Sequence, residues 1–410
     1  MFDKSAVSST TADEGARNGI AVPLRQGGRP ARRALAGGLT VELPNGRQIR
    51  FGDARREQRP VLRLNRYRAL GKLVRRGTIG FAEAYMDGDL DCDDLTGLFR
   101  FFVANRDRFR LPGRYLFKVA KGDRAAHRAR RNSRRGSQRN ISEHYDLGND
   151  FFQLWLDPDM VYSSGLYAGD SGSLEAAQSA KFQRIVDLLD LSGGEDILEI
   201  GCGWGGFARF AARAHGASVT GLTLSHEQLA HARQVAEEEQ LAADCAFRLQ
   251  DYRDADGRYD RIVSIEMIEA VGEEYWPEYF QVLGKRLKPG GSAVLQAITI
   301  DEHAFDEYRS SADFIQRFIF PGGMLPTRTI IRQQAEAAGL TLDHGERFGQ
   351  SYARTLREWR RRFDAAWPQI ARLGYDEHFR RRWRYYLAYC EAGFMEGRID
   401  VGIYRLRKRL

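Results

Sequence analysis

The chain has 410 residues, and its 63 lysines and arginines outnumber its 55 aspartates and glutamates, which gives a net charge of +8. Apolar residues make up 43% of the chain, enough for a sizeable core, so a mainly disordered protein is excluded. No apolar run approaches the roughly 20 residues that cross a bilayer, and the basic excess favours an anionic partner, either nucleic acid or a membrane surface.

The N-terminal residues 1–36 are rich in Ser, Thr, Gly, Ala and Arg, and they lack the apolar stretch of a secretory signal. We therefore expect a mobile tail and a cytoplasmic protein. The cysteines agree with this, because they are scattered and form no C-x-x-C motif. We expect neither a disulfide framework nor a metal site.

Residues 37–119 predict a small N-terminal domain of mixed α and β structure. Polar and apolar side chains alternate over residues 39–43 and 47–51, on either side of a Pro-Asn-Gly turn, which predicts a β-hairpin. Apolar residues then recur at helical spacing from 70 to 109, with breaks at Gly77–Gly80 and Asp87–Gly88. This region contains no group of residues that suggests catalysis.

Eight lysines and arginines fall within residues 120–140, which hold almost no large apolar side chain. One interpretation of such a charge run is a solvated linker. The other is a strip that lies against an anionic surface. That surface is either lipid headgroups, where each cation contributes about 1 kcal/mol, or a phosphodiester backbone.

Strands and helices alternate in the region 141–410, which we predict to be the catalytic domain. The predicted strands are 196–202, 218–224, 245–251, 259–267 and 292–300. The predicted helices are 205–215, 227–240 and 276–287, and a turn is predicted at 288–291. Repeated strand–helix units with apolar strands predict an α/β fold, in which a parallel sheet lies between helices. Ligands of such sheets bind beyond the carboxyl ends of the strands.

A glycine-rich loop follows the first of these strands. Gly201, Gly203 and Gly206 satisfy the pattern G-x-G-x-x-G, which lets the backbone turn tightly and approach a ligand. Alone, the pattern fits either a dinucleotide or S-adenosylmethionine (SAM). A dinucleotide site expects an acid at the end of the second strand, where this chain has Leu-Thr-Leu-Ser. Glu199, directly before the loop, suits the ammonium group of an amino acid and favours SAM.

Several blocks of sequence together resemble the cyclopropane-fatty-acyl-phospholipid synthase family, which are SAM-dependent lipid C-methyltransferases. The blocks are Gly80–Gly88, His144–Asp150, Val161–Ser164, Leu198–Gly206, Thr220–Ser225 with Gln228, and Phe318–Gly323. The resemblance spans residues 38–405 and implies a Rossmann-like class I SAM methyltransferase sheet with a helical lipid-binding insertion. It also implies that the N-terminal domain docks to a membrane or to a second subunit in a homodimer.

The same resemblance implies which residues contact SAM. The implied contacts are Tyr162 and Ser163 at the methionine end, Gly201 and Gly203 beneath the cofactor, Thr223, Leu224 and Gln228 at the ribose, and Asp251 and Tyr252 beside the adenine. For the two tyrosines the alternative is ordinary aromatic packing.

The implied reaction needs two further features. A cis alkene is a weak nucleophile, so the methyl donor must be a strong electrophile held in line with the double bond. The carbocation that results needs stabilisation, which aromatic faces provide without quenching it. The candidates are Tyr308, Phe314, Phe318, Phe320 and Tyr352, of which we predict Phe314, Phe318 and Phe320 to bind substrate. Core packing is the alternative for each.

One proton must also be removed, and members of the family hold a bicarbonate ion for this purpose. By position, Glu269, Tyr352 and the Ile298 amide match residues that hold it, and Cys390 matches a second active-site cysteine of the family. Three positions depart from the family pattern, namely Ser164 in place of Cys, Gln296 in place of His and Ala270 in place of His. Gln296 donates a hydrogen bond but carries no positive charge for an anion.

Glu266 stands where cyclopropane synthases commonly have glycine. An added carboxylate and a missing cation suggest that the protein provides its own base, with one pKa of the pair Glu266 and Glu269 raised towards neutrality. A local arginine is the alternative partner for Glu266. The combination of Glu266, Ala270 and Gln296 resembles the members that make methyl- or methylene-branched chains.

The resemblance therefore implies methyl transfer from SAM to the cis double bond of an unsaturated acyl chain in a membrane phospholipid, at the inner face of the membrane. The product is a cyclopropane if the new methyl group loses a proton as the ring closes, and a methylene or methyl branch if the proton is lost after a hydride shift along the chain. A nucleic-acid methyltransferase is disfavoured, because no base-handling segment of the N-P-P-[YF] type is found. A non-catalytic membrane-binding module is a third alternative, against which the intact glycine loop argues.

Overall fold

The computed structural model describes residues 35–52, 59–108, 110–111, 114–115, 130–134, 136–137, 139–140, 147–169 and 172–410. Most of the predicted tail and basic linker lies outside these ranges, as does the first part of the block His144–Asp150. The predicted domain boundaries near residues 119 and 141 also lie outside them and stay predictions.

A small four-stranded sheet follows residue 37, and the predicted β-hairpin is confirmed. The strands and helices of this region are β1 (Gly38–Glu42), β2 (Gln48–Gly52), β3 (Val61–Leu64), α1 (Arg68–Met86), β4 (Leu90–Cys92), α2 (Leu95–Ala104), β5 (Arg110–Leu111) and β6 (Arg114–Tyr115). The sheet order is β2-β1-β3-β4, with Leu39 opposite Phe51 in the hairpin. The predicted break at Gly77 is real, because this residue interrupts α1 with a φ of 56°.

The large sheet has seven strands in the order β12-β13-β11-β10-β7-β8-β9. They are β7 (Asp196–Ile200), β8 (Ser218–Thr223), β9 (Cys245–Leu249), β10 (Tyr259–Ile265), β11 (Leu287–Ile300), β12 (Leu340–Arg347) and β13 (Ile399–Lys408). The helices of this part are α3 (Asn149–Gln153), α4 (Leu174–Leu189), α5 (Gly206–His215), α6 (His226–Glu238), α7 (Trp276–Arg286), α8 (Phe305–Arg309), α9 (Phe314–Phe318), α10 (Arg328–Ala337), α11 (Gly349–Arg372) and α12 (Glu377–Met395).

Two sequence-based predictions about this sheet are wrong. The sheet is mixed and not parallel throughout, because β13 pairs antiparallel with both β11 and β12. Only Leu340 of β12 is buried, and exposed and partly buried residues alternate from Thr341 to Arg347. This pattern is typical of a half-solvated antiparallel strand, which a search for continuous apolar strands misses. The predicted turn at 288–291 instead belongs to β11, where the pairing with β10 slips from Leu287 to Ser292.

Successive side chains of the parallel strands point to opposite faces of the large sheet, and each face packs into its own buried cluster. On β7, Ile197 joins a cluster with α4, α5 and α6, whereas Leu198 joins a cluster with α7 and α10. A third cluster, rich in Trp, Tyr and Phe, connects the small sheet with α1, α2, α3, α11 and α12. In the part of the chain that the structure describes, no helix combines the length and the apolar character needed to cross a membrane.

Candidate active site

The loop between β7 and α5 shapes the floor of a cavity. Gly201 and Gly203 have φ angles of 80° and 54°, a left-handed conformation that only glycine adopts without strain. A Cβ atom on Gly203 would project into open space, whereas one on Gly201 would come within 2.9 Å of the Met267 side chain. The bare backbone of Gly203 is thus available for close approach by a ligand.

The cavity above this loop encloses about 1130 Å³ between protein atoms, including the part open to solvent. Its walls contain all ten residues that were predicted to contact SAM: Tyr162, Ser163, Glu199, Gly201, Gly203, Thr223, Leu224, Gln228, Asp251 and Tyr252. They come from the ends of neighbouring parallel strands and from the segment before α4. Their roles as SAM contacts stay predictions, but the structure brings them together at one place.

Glu199 lies at the methionine end of the predicted SAM site. The residue is 2% exposed, and burial raises the pKa of its carboxyl to about 8. Its Oε2 atom has no hydrogen-bond partner among the described residues. A buried carboxylate oxygen without a donor is costly, and the ammonium group of an amino-acid ligand would satisfy it.

At the other end, side chains hold one another in place. The Thr223 hydroxyl donates to Gln228 Oε1 at 2.7 Å. Asp251 forms an ion pair of 2.6 Å with Arg253, which holds the pKa of its carboxyl below the usual range. Tyr252 is buried and packs edge to face on Tyr279, so the aromatic packing predicted as the alternative also occurs. These residues form a fixed wall that fits the nucleoside part of SAM.

A second group of residues surrounds the carboxylate of Glu266, on the wall of the same cavity. Three donors reach this carboxylate: the Ser164 amide at 2.8 Å, Gln296 Nε2 at 2.7 Å and the Tyr352 hydroxyl at 2.6 Å. Glu266 has a φ of 49°, in the region that favours glycine. A position that cyclopropane synthases fill with glycine is therefore used here to aim a carboxylate. Among the described residues, the hydrogen-bond donors to Glu266 are therefore Ser164, Gln296 and Tyr352, in place of the arginine considered as the alternative.

Glu269 belongs to the same group. Its Oε1 atom accepts the Ile298 amide at 2.5 Å, so this predicted anion-holding amide is occupied by a side chain of the protein. Burial, followed by the charge of Glu266, raises the pKa of Glu269 to about 8. Burial also raises the pKa of Glu266. The two buried carboxyls interact, so they titrate as a coupled pair.

Two residues that were predicted to be catalytic, Ser164 and Cys390, differ from the expected roles, and Ala270 marks a departure from the family pattern. Ser164 contributes its main-chain amide, while its hydroxyl donates to the Gly165 carbonyl. Cys390 lies on α12 and burial raises the pKa of its thiol, but the hydrogen bonds to Glu266 come from other residues. Ala270 lines the cavity without a polar group.

The predicted substrate-binding aromatics differ in their surroundings. Phe314 is 2% exposed and lies 4.3 Å from the ring of Tyr385, within the aromatic core. Phe318 and Phe320 are only partly buried against that core. The structure adds residues that the motifs did not indicate, because the Tyr162 hydroxyl pairs with Tyr386 at 2.9 Å. Such contacts join residues far apart in sequence and leave no local signal.

Lys181 on α4 is a further residue that was missed. It is fully buried, and its Nζ atom donates to the Ser163 hydroxyl at 2.7 Å. A signal existed in the sequence, because Lys181 falls on the apolar stripe of its helix together with Leu174, Gln178 and Ile185. A lysine in such a stripe is seldom buried without a purpose.

Two described arginines of the predicted basic strip are engaged by acids of the protein itself. Arg131 pairs with Glu274, and Arg134 pairs with Asp254. Ser137, from the same stretch, lines the cavity. This part of the strip is therefore tied to the edge of the cofactor cavity.

The sequence is similar to a protein family and to individual known proteins. Residues 132–403 match the family model described as mycolic acid cyclopropane synthetase. The tuberculostearic acid methyltransferase UfaA1 of Mycobacterium tuberculosis is 39% identical over 83% of this chain and 82% of its own length. The cyclopropane-fatty-acyl-phospholipid synthase of Escherichia coli K12 is 38% identical, over 79% of this chain and 81% of its own.

Two solved structures are similar to the larger part of the chain. The cyclopropane synthase MmaA2 of Mycobacterium tuberculosis has a TM-score of 0.63 at 32% identity, covering 66% of this chain and 98% of that one. The mycolic acid cyclopropane synthase CmaA1, solved in complex with SAH and CTAB, has a TM-score of 0.62 at 32% identity with the same coverage.

Proposed function

The chain belongs to the mycolic acid cyclopropane synthetase family, and from this premise we propose that it methylates the cis double bond of an unsaturated acyl chain in a membrane phospholipid, giving a methyl- or methylene-branched chain. The general type of reaction follows from membership of the family. The protein is a SAM-dependent C-methyltransferase of the fatty-acyl cyclopropane and methyl-transfer type, as the sequence motifs predicted.

The observation that carries the finer proposal is the carboxylate of Glu266. Its three hydrogen bonds come from Ser164, Gln296 and Tyr352, which are three of the positions that hold bicarbonate in the family. Bound SAM supplies a methyl group on a positively charged sulfur. The chain supplies the base, because Glu266 occupies the centre of the donors that would otherwise surround a free anion.

The proposed division of labour follows from these contacts. Glu266 removes the proton from the methylated acyl chain, and Tyr352 and Gln296 keep its carboxylate oriented. Glu269, held by the Ile298 amide, shares that proton with Glu266. Aromatic faces stabilise the cationic intermediate. They belong to Tyr352, whose ring stacks on Phe394 at 4.4 Å between centroids, and to the partly buried rings of Phe318 and Phe320.

The test is to incubate the protein with SAM and vesicles of dioleoyl phospholipid and to analyse the acyl chains by mass spectrometry and NMR. A gain of one methylene unit, about 14 Da, with the NMR signature of a methylene or methyl branch is expected. A cyclopropane signal would refute the branch, and unchanged lipid would refute the whole proposal. NMR is essential because the mass alone does not separate a ring from a methylene branch.

Bicarbonate provides the sharper experiment. The wild-type protein should be indifferent to removal of bicarbonate, since Glu266 fills its place. Glu266→Gly restores the residue common in cyclopropane synthases, and we expect its activity to be low, to rise when bicarbonate is added and to shift towards a ring product. A wild-type enzyme that stops without bicarbonate would contradict the assignment of Glu266 as base.

The same proposal requires contact with a bilayer, and the first half of α1 offers a suitable face. Tyr67, Leu70 and Val74 are exposed there, Val74 by 84%. Arg66 and Arg68 flank them and remain more than half exposed although both pair with Asp89. Apolar side chains between exposed cations match the boundary of an anionic membrane.

Flotation with vesicles of phosphatidylglycerol and phosphatidylcholine tests this face. Leu70→Ser should reduce the bound fraction. Leu373→Ser is the matched control, because Leu70 and Leu373 are each 46% exposed but lie on different helices. If both variants lose vesicle binding equally, or if neither does, then this face of α1 does not bind the membrane. The proposed reaction would be unaffected by that result.

A further inference from the structure

Lys181 is the buried cation that links the two halves of the site. It is fully buried on α4, it does not line the cavity, and its Nζ atom donates to Ser163 Oγ at 2.7 Å. Ser163 belongs to the predicted SAM contacts. The next residue, Ser164, donates its amide to Glu266 at 2.8 Å. A single side chain therefore supports the segment that touches both the cofactor and the base.

The charges around Lys181 explain why an ammonium is held there. The acids that interact with it are Glu266, Asp157 and Glu199. Burial lowers the pKa of the Lys181 ammonium to about 8 and raises the pKa of Asp157 to about 6. One buried cation therefore interacts with three buried carboxyls and favours their charged forms.

The groups that face Glu266 come from several elements. They are Lys181 on α4, Gln296 on β11, Tyr352 on α11, Tyr386 on α12, the Ser164 amide and Glu269. Only Lys181 among them carries a positive charge. A nearby buried cation favours the ionised form of a carboxyl base over its protonated form.

We propose that Lys181 is a positioning residue that keeps Glu266 ionised for proton removal and fixes the Tyr162–Ser164 segment between cofactor and base. The residue acts through Ser163 and through its charge, and it touches neither substrate nor SAM. This assignment rests on the proposed function, because it presupposes that Glu266 is the base. It goes beyond that function by naming the internal counter-ion of the base.

The test is the pH dependence of kcat/KM in Lys181→Met, which removes the charge and leaves an unbranched side chain that is one atom shorter. Without the cation the carboxylate of Glu266 is less stable, so its pKa rises and the acid limb moves to higher pH, by about one unit. Activity near pH 7 should fall about tenfold and recover within about twofold on the alkaline plateau. A uniform loss at every pH, with an unmoved midpoint, would overturn the proposal.

Gln178→Met is the matched control from the same helix. The Gln178 amide donates to the carbonyls of Ser163 at 2.9 Å and Val161 at 3.4 Å, so this variant loosens the same segment without changing any charge. Its activity should fall without a shift of the acid limb. A shift equal to that of Lys181→Met would show that loosening alone is sufficient and would overturn the role of the charge.

A second measurement separates this proposal from the proposed function. The titration of Glu266 can be followed by infrared difference spectroscopy of the carboxyl band, with Glu266→Gln to assign the band. The midpoint should be higher in Lys181→Met than in wild type even if the lipid tested is not a substrate. An identical midpoint would overturn the role of Lys181, whereas absence of turnover in wild type would count only against the proposed substrate.

Discussion

The cofactor half and the base half of the site are built in opposite ways. Apart from Tyr162 and Ser163, the cofactor half is assembled from residues between Glu199 and Tyr252, at the ends of strands that are neighbours both in sequence and in the sheet. The base half gathers Ser164, Gln296 and Tyr352 around Glu266, and Ser164 lies 102 residues from Glu266 along the chain. Most of the first half thus comes from one stretch of sequence, and the second exists only in the folded chain.

This difference separates binding from chemistry. The walls of the cofactor half are fixed by glycine backbone and by internal pairs such as Thr223 with Gln228. The base half is held by hydrogen bonds to a single carboxylate. Substitutions in the first half should therefore change affinity for SAM, and substitutions in the second should change turnover and its pH dependence.

The largest expected effect is that of Glu266→Gln. Loss of a general base lowers the turnover rate by a factor of about 10²–10⁴. The amide of the variant also places an N–H group opposite the donors of Gln296 and Tyr352, which face a carboxylate in the wild type. Affinity for SAM, measured by calorimetry, should stay within about threefold, because the residue is outside the glycine loop. Loss of SAM binding together with turnover would mean that the two halves are not separable.

Part of the cofactor half has a local signal in the sequence, namely the glycine loop, in which Gly201 and Gly203 adopt positive φ, and Glu199 directly before it. The other predicted SAM contacts and the members of the base half were predicted only through family resemblance. That three donors converge on Glu266, and that Ser164 uses its amide, depends on α11 and β11 meeting in space.

The misses have the same physical origin. The antiparallel partners β12 and β13 were not predicted, because β12 has no continuous apolar run and because β13 pairs with β11 from a distant part of the sequence. Lys181 was passed over for a similar reason, since a lysine in a helix is ordinarily solvated. Its burial follows from the position of α4 against the sheet.

The second effect in size belongs to the cofactor half. Glu199→Gln replaces the buried carboxylate that we expect to meet the SAM ammonium, and a hydrogen bond between charged groups is worth about 1.5–3 kcal/mol. The dissociation constant of SAM should therefore rise about 10- to 100-fold. Turnover at saturating SAM should change by less than about threefold. A large drop in turnover at saturation would instead assign Glu199 to the chemistry.

Tyr352→Phe should have a smaller effect of a different kind. The Tyr352 hydroxyl donates to Glu266 Oε2 and stabilises the charged form, so its loss raises the pKa of a carboxyl already raised by burial. In wild type, the rate should fall with decreasing pH, at a midpoint above the range of ordinary glutamates. In the variant we expect that midpoint about one unit higher and a loss of about tenfold at neutral pH. Unchanged pH dependence would mean that the hydroxyl does not act through Glu266.

The smallest effect distinguishes core from substrate pocket. Phe314→Leu removes a ring packed on Tyr385, which should cost about 1–1.5 kcal/mol of stability and lower Tm by a few degrees, with KM for lipid nearly unchanged. Phe320→Leu is the counterpart, since that ring is only partly buried and should raise KM with little effect on Tm. Because burial alone separates the two rings, a rise in KM for Phe314→Leu at constant Tm would place Phe314 in the acyl pocket and extend the base half into what is now the aromatic core.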